Sequence, residues 1–331
     1  MKVELRTGDE TASIAAATMR LRVARRDELT SRVAQLELVP AEADEVLPQW
    51  SAGAHVTLHL PSGLLRQYSL CGDPRDGERY RIAVLREEHG RGGSIEAHRL
   101  REGDVLDVGE PRNSFPLVEA DEHVLVAGGI GITPIAAMAW ELHHRSVPFR
   151  VVLAVRSMDD AVLTRLLPQG CDVEIHTPAN PLELAALLAD VPSRAAVQVC
   201  GPTRILDEAQ SWSFALQRRG ASVHVERFEA SAATLAGIHV TGDQPFAVTF
   251  ARSQDTVTVD PGSTILAEAR KLGKLVDSSC EEGYCGTCET RVLAGVPDHR
   301  DDFLTPEEQA AGETMMICVS RCTGEDLVLD L

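Results

Sequence analysis

The segment DSSCEEGYCGTCETRV, residues 277–292, constrains this chain more than any other, because it places Cys280, Cys285 and Cys288 within nine residues. A fourth thiol, Cys318 in MMICVSRC, follows Cys288 after 29 intervening residues, so the pattern is C-x4-C-x2-C with one distant partner. Three thiols on so short a span converge only if the backbone wraps into a loop, and the fourth arrives only if the rest of the fold delivers it. Gly283 and Gly286 lie inside the span. Lacking a Cβ, they permit the tight or left-handed turns that such a loop needs.

This is the spacing of a plant-type [2Fe–2S] site, in which each iron takes two thiolates and a wrapped loop plus one remote residue encloses the inorganic core. Zinc and a disulfide staple are the competing readings. Zinc ribbons usually pair two short clasps, and only one is present here. Disulfides belong to oxidising compartments. The opening MKVELRTGDETASIAAATMR carries acidic residues where a secretory signal needs a basic stretch and then an apolar run. A cytoplasmic chain with reduced thiols and a ragged or mobile N-terminus is expected.

With 331 residues, 44% of them hydrophobic, the chain has room for two or three domains, and an aromatic content of 4% implies aliphatic cores. VLVAGGIGITPIAAMAW, the longest apolar-rich stretch, is broken by glycines, Thr133 and Pro134 and falls short of the ~20 apolar residues of a spanning helix. A formal net charge of −18 argues against nucleic acid or an anionic membrane as partner. From residue 241 onward stand 7 basic and 17 acidic side chains, which carry more than half of that excess. A docking face and plain solvation of a small domain account for this equally well.

Three blocks follow along the chain. Over residues 18–118, alternating runs such as HVTLHL and YRIAVL between Gly, Pro and Asp predict an antiparallel sheet or barrel, interrupted by a helix at SIEAHRLR. Over 119–230, strand-like HVLVA, RVVLAV, VEIHT, AVQVC and SVHVERF alternate with helical segments, including one from Pro134 and one through AVLTRLL, which predicts a doubly wound parallel sheet. A small-residue linker at 231–243 leads to an α+β block at 244–331, where TPEE combines an N-cap Thr305, a Pro306 and a Glu308 that predict a helix start.

Further motifs lie in the first two blocks. RQYSL sets Arg66 and Tyr68 on one side of a strand, a cation and an aromatic plane suited to a phosphate and a planar ring. HGRGGS offers Arg91, the unhindered N–H groups of Gly92 and Gly93 and the Ser94 hydroxyl directly before a helix, an anion-binding arrangement. AGGIGITP runs from a strand through Gly128, Gly129 and Gly131 to Thr133 and Pro134, read as N-cap and N1 of a helix whose start admits a pyrophosphate, although the full G-x-G-x-x-G is absent. VQVCGP ends a later strand with Cys200, Gly201 and Pro202, where ligands of doubly wound sheets sit. Taken singly, RQYSL, AGGIGITP and VQVCGP suit a purely structural strand or turn, whereas for HGRGGS a flexible hairpin explains the glycines but neither the Ser nor the helix that follows.

In this order, RQYSL, HGRGGS, AGGIGITP, AVRS, VCGP, VERF and the four cysteines resemble the phthalate dioxygenase reductase-type family, close to vanillate demethylase reductase subunits. The resemblance runs from about residue 20 to the terminal LVLDL. It implies a multidomain fold: an antiparallel β-barrel for flavin, an α/β doubly wound NAD domain and an α+β (β-grasp) ferredoxin domain. It further implies FMN, rather than FAD, held by Arg66, Tyr68, Ser69, Ala83, Val84, Arg91, Gly92, Gly93 and Ser94. NADH would be held by Gly128, Gly129, Thr133, Pro134, Arg156, Ser157, Asp159, Gly201 and Pro202, with Cys200 near the nicotinamide and Phe228 near the flavin. Cys280, Cys285, Cys288 and Cys318 would hold the cluster. Ala154 stands where the family often has an aromatic residue, and Cys71, Cys171 and Cys322 are read as small structural side chains.

NADH gives up two electrons together, whereas a [2Fe–2S] cluster accepts one, so a flavin must stand between them. Nothing in the chain offers a Rieske ligand set, a haem thiolate site or an oxygen-activating iron centre, so electrons are expected to leave to a separate oxygenase. A Rieske non-haem iron oxygenase is the favoured acceptor and a cytochrome P450 the alternative. A redox sensor that binds a partner without turnover is the third possibility.

Overall fold

The computed structural model describes residues 18–238 and 242–331. The expected ragged N-terminus and part of the linker lie outside the described residues.

The first block forms β1 (Thr18–Glu28), β2 (Val33–Pro40), β3 (Ala54–His59), β4 (Leu65–Ser69), β5 (Tyr80–Leu85), α1 (Gly93–His98), β6 (Val105–Gly109) and β7 (Arg112–Asn113). The strands pair antiparallel in the order β4-β3-β6-β1-β2-β5, with β7 on β3. The two ends of that order meet at a bridge between Leu70 and Ile82 and at a 2.8 Å bond from the Cys71 N–H to the Arg81 carbonyl, which brings the sheet round into a barrel. Period-two alternation fills it: Leu21 and Val23, Leu36 and Leu38, Val56 and Leu58, and Ile82 and Val84 all point into one buried core.

The second block has β8 (Glu122–Gly128), α2 (Ile132–Arg145), β9 (Phe149–Ala154), β10 (Val173–His176), α3 (Leu184–Ala189), β11 (Ala195–Cys200), α4 (Thr203–Ser211), α5 (Ser213–Gln217) and β12 (Ser222–Glu226). Its strands are all parallel, in the order β10-β9-β8-β11-β12. Leu125 and Ala127 of β8 face α2, while Val124 and Val126 face α3 and α4. Burial on both faces explains the long apolar runs of the three central strands, β8, β9 and β11. Barrel residues Val33, Ala52, Cys71, Ala83 and Phe115 join the α2 side of this core, so the two blocks share one apolar interior.

Three local expectations change. Thr133 is not an N-cap: a 3-10 turn at Gly129–Gly131 precedes α2, Gly131 takes the cap position, and the Thr133 hydroxyl donates to the Ile130 carbonyl at 3.0 Å. Pro134 still falls in the first turn, where a missing N–H costs nothing. AVLTRLL belongs to a 3-10 segment, Met158–Leu166, and Pro168 keeps the residue before it out of the α region. The linker carries a helix, α6 (Ala232–Gly237), capped by the Ser231 hydroxyl. Asp302 accepts from both the Ser231 N–H at 2.7 Å and its hydroxyl at 3.0 Å, which fastens the helix start to the third block.

That block contains β13 (Phe246–Phe250), β14 (Asp255–Val259), α7 (Ile265–Lys271), β15 (Glu289–Ala294), β16 (Pro297–Asp298), α8 (Pro306–Ala311), β17 (Thr314–Met316), β18 (Arg321–Cys322) and β19 (Asp326–Leu329). The mixed sheet β14-β13-β19-β15-β17 packs Val248, Phe250, Leu327 and Leu329 against Ile265, Leu266 and Ala269 of α7. Thr305, Pro306 and Glu308 make the expected capping box at α8.

The turns after β8 and β11 touch through their main chains. A Cβ on Gly131 would lie 2.2 Å from the Cys200 carbonyl oxygen, and one on Gly201 would lie 2.9 Å from Gly128 Cα. Backbone cannot yield as a side chain does, so Gly131→Ala should cost about 1–3 kcal/mol. A urea midpoint equal to that of the wild type would contradict this close approach.

Candidate functional site

The loop between α7 and β15 carries Cys280, Cys285 and Cys288, and Cys318, just after β17, meets them. Cys280, Cys285, Cys288 and Cys318 are all buried. Cys280 Sγ contacts both Cys285 and Cys318, and Cys318 also contacts Cys288. These contacts, with the N–H groups of Glu282 and Tyr284, hold the Cys280 thiol far below the ordinary thiol range, while Cys285 and Cys318 are pushed up by the neighbouring sulfurs and by burial. Main-chain N–H groups already point at sulfur: Cys280 N–H lies 3.4 Å from Cys285 Sγ, and Glu282 N–H lies 3.4 Å from Cys280 Sγ.

Such a wrap needs left-handed residues, and Glu281, Gly283 and Gly286 have φ of 52°, 79° and 74°. Space is short as well. A Cβ at Gly283 would meet Val319 at 2.7 Å, and one at Gly286 would meet the Phe303 ring at 2.3 Å. Among the described residues no three His, Cys, Asp or Glu side chains are gathered around a single-ion position. A dinuclear cluster asks for something else, two thiolates on each iron with N–H donors to sulfur. The four sulfurs form one run of contacts, Cys285 to Cys280 to Cys318 to Cys288, which brings all of them to one place. Cys322 stands apart, its thiol donating to the Asp326 carbonyl at 3.4 Å and accepting from Gly324 N–H at 3.3 Å.

The barrel meets this loop along β4. Ser279, next to Cys280, donates its hydroxyl to the Leu65 carbonyl at 3.0 Å, and its own carbonyl accepts from Arg66 at 3.5 Å and Arg91 at 3.4 Å. Gln67 donates to the Cys285 carbonyl at 3.3 Å and to the Thr287 hydroxyl at 3.0 Å.

RQYSL and HGRGGS, separate in sequence, come together here. The Arg66 side chain lies directly over Gly93, where a Cβ would fall 2.2 Å from Arg66 Nε. Two cations and the start of α1 therefore face one place. Ser94 Oγ accepts from the Glu87 N–H at 3.1 Å and keeps its own hydrogen to donate. Tyr68 packs its ring on the barrel core, and burial raises its hydroxyl pKa. Ser69 is buried, as are Ala83 in the shared interior and Val84 in the barrel core, so the last two offer no polar side-chain group to a ligand.

At the carboxyl ends of β8 and β11, where the strand order reverses, the Gly128–Gly131 and Cys200–Pro202 turns form one crevice. Gly129 has open space around it. Arg156, Ser157 and Asp159 are exposed beyond β9, and Phe228 is 36% exposed beyond β12.

Sequence reasoning passed over Glu226. It is the last residue of β12, paired in register with Cys200, whose Sγ lies 3.9 Å from Glu226 Oε2. Arg227 is bound to Asp207 at 2.6 Å and Gln210 at 2.7 Å instead, so it leaves that carboxyl without a cation. Burial pushes Glu226 up to about 8, and burial together with Glu226 raises Cys200 well above the thiol range. A neutral acid and a neutral thiol result at pH 7. The available signal was position, since a carboxylate closing a parallel strand beside a cysteine sits where this fold binds ligands.

The match to known proteins agrees with this geometry. Residues 248–323 match the model of the 2Fe-2S iron-sulfur cluster binding domain. Vanillate O-demethylase oxidoreductase of a Pseudomonas species is 40% identical over 313 residues, 90% of this chain and 95% of that protein. The solved phthalate dioxygenase reductase, described as a modular structure for electron transfer from pyridine nucleotides to [2Fe-2S], is 34% identical, with a TM-score of 0.67 over 95% of this chain and 98% of that one.

The chain belongs to the phthalate dioxygenase reductase family. It is an oxidoreductase of the electron-transfer type. A solved intact type IV self-sufficient cytochrome P450 monooxygenase is also similar, 35% identical with a TM-score of 0.80 over 95% of this chain. The chain spans 41% of that longer protein. Among the described residues no helix is long and apolar enough to cross a membrane.

Glu226 yields a pH prediction. The folded state keeps its proton up to about 8, whereas an unperturbed carboxyl releases it near 4.5. The unfolded chain binds fewer protons across that window, so stability falls as pH rises through it and levels above it. Glu226→Gln cannot ionise and should flatten that fall. Melting midpoints taken at intervals across the window test this, and an unchanged slope would mean that Glu226 ionises normally.

Proposed function

We propose that this chain is an NADH-dependent reductase that passes electrons through FMN and a [2Fe–2S] cluster to a separate Rieske non-haem iron oxygenase. The carrying observation is the seam between β4 and the cysteine loop, where Arg66 and Arg91 touch the residue beside Cys280. In this reading residues 18–118 bind flavin, 119–230 bind nucleotide, 231–243 link, and 244–331 hold the cluster. Arg66, Arg91, Ser94 and the N–H groups of Gly92 and Gly93 hold the FMN phosphate, Tyr68 and Ser69 line the ring site, and Ala83 and Val84 contribute main chain. Gly128, Gly129, Thr133, Pro134, Gly201 and Pro202 cradle the NADH pyrophosphate. Cys200 faces the nicotinamide and Phe228 covers the flavin.

FMN supplies the step from paired to single electrons, and the chain's residues hold the reacting rings in place and keep water away. Cys280, Cys285, Cys288 and Cys318 would together hold the cluster. A neutral Cys200–Glu226 pair places no fixed negative charge against the donor ring. The reduced thiols and NADH as donor point to the cytoplasm.

A cytochrome P450 acceptor is the second reading, favoured by the likeness to part of the self-sufficient P450 monooxygenase. Reconstitution of NADH-dependent turnover with purified Rieske and P450 partners separates the two. Failure with every oxygenase, alongside fast reduction of artificial acceptors, would overturn the assignment of partner.

Cys285→Ser should abolish iron and acid-labile sulfide while flavin reduction by NADH stays near the wild-type rate, because the cluster lies downstream of hydride transfer. Cys322→Ser should keep both. Iron lost from the Cys322 variant, or stoichiometric zinc in the wild type, would refute the ligand set.

Nucleotide choice rests on Asp159 and Asp160 beyond β9. Their carboxylates repel a 2′-phosphate and accept from a free ribose hydroxyl. Arg156 makes no ion pair among the described residues and opposes them in part. A preference for NADH of at least roughly tenfold in kcat/KM, about 1.4 kcal/mol, is expected. Steady-state rates with NADH and NADPH and an artificial acceptor decide it, and a preference for NADPH would sink the role of these aspartates.

A further inference from the structure

Gln67 sits on β4 between two residues assigned to flavin, yet its amide reaches into the cysteine loop. Its Nε2 is 3.0 Å from Thr287 Oγ1 and 3.3 Å from the Cys285 carbonyl, and Thr287 Oγ1 is 3.2 Å from Cys285 Sγ. A hydroxyl has one hydrogen to give and two lone pairs to receive. The Gln67 amide takes one lone pair of the Thr287 oxygen and leaves its hydrogen and second lone pair open toward the sulfur. A metal-bound thiolate only accepts, so with Cys285 as a ligand the Thr287 hydrogen goes to the sulfur. The chain of donors is Gln67 N–H, then Thr287 O–H, then Cys285 Sγ, and each bond polarises the next.

We infer that Gln67, a residue of the barrel, raises the reduction potential of the cluster by orienting the Thr287 hydroxyl onto Cys285 Sγ. This rests on the reading of Cys285 as a cluster ligand. Adding an electron puts negative charge on the sulfurs, and a hydrogen bond to sulfur stabilises that charge, so the reduced state gains more than the oxidised one. Gln67 acts through Thr287 and is a positioning residue. Its reach across the seam also means that the potential depends on the cysteine loop being seated against β4, the arrangement in which the cluster would receive its electron from the flavin side.

The test is a redox titration of the reduced cluster's electron paramagnetic resonance signal in the whole protein, with iron and acid-labile sulfide measured on each sample. Thr287→Val removes the donor to sulfur and should lower the potential by about 59 mV, a tenfold change in the one-electron equilibrium. Thr287→Ser should restore it. Gln67→Leu, similar in size and without donors, should lower it less in the same direction and have no further effect in the Thr287→Val background. A purely structural role would not give that dependence. A full complement of iron with an unmoved potential in Gln67→Leu or Thr287→Val overturns the inference and leaves the cluster assignment standing. Wild-type protein without iron and sulfide overturns the ligand reading itself.

Discussion

The arrangement depends on the hydrogen-bonded seam between β4 and the cysteine loop. A loop wound through left-handed residues leaves some of its carbonyl groups without partners of its own, and buried unpaired carbonyls are costly. The barrel supplies the missing donors: Arg66 and Arg91 to Ser279, and Gln67 to Cys285. Ser279 returns a bond to Leu65. The same side chains that face the start of α1 thus hold the loop, so the proposed flavin phosphate site and the thiols are built by one set of contacts.

The second constraint is the contact of bare main chain at the ends of β8 and β11. Parallel strands deliver their following turns to the same edge, and at the reversal of strand order these turns have room to separate or to touch. Here they touch, because Gly128, Gly131 and Gly201 carry no Cβ. Barrel residues share the α2 side of the same core, and His144 of α2 bonds Asp73 of the barrel at 2.8 Å. The second block and the cysteine loop thus each pack against the barrel.

Much of this was legible in the sequence because it is local or periodic. Alternation of apolar residues announced the barrel strands, alternation of strand and helix announced the parallel sheet, and Thr305, Pro306 and Glu308 announced α8. Two of the failures were local in cause, and one was not. Thr133 looked like a cap because the 3-10 turn before it leaves no sign in residue type. The Met158–Leu166 segment carried helical spacing, but Pro168 behind it holds Leu167 extended and the segment winds as a 3-10 helix. The helix of residues 232–237 rests on a cap shared with Asp302, far along the chain, and small residues alone do not announce it.

From order and spacing alone came the three fold classes, the four clustered thiols and the family likeness, since periodicity and ligand spacing are properties of a chain before it folds. Only the tertiary structure decided that Arg66 lies on Gly93, that Glu226 loses its charge beside Cys200, and that Gln67 reaches Thr287. Each of these joins residues from different elements, two of them within one sheet or barrel and the third across a seam between domains. Such contacts follow from how strands and loops are set against one another, and burial and hydrogen-bond direction have no value until that packing exists.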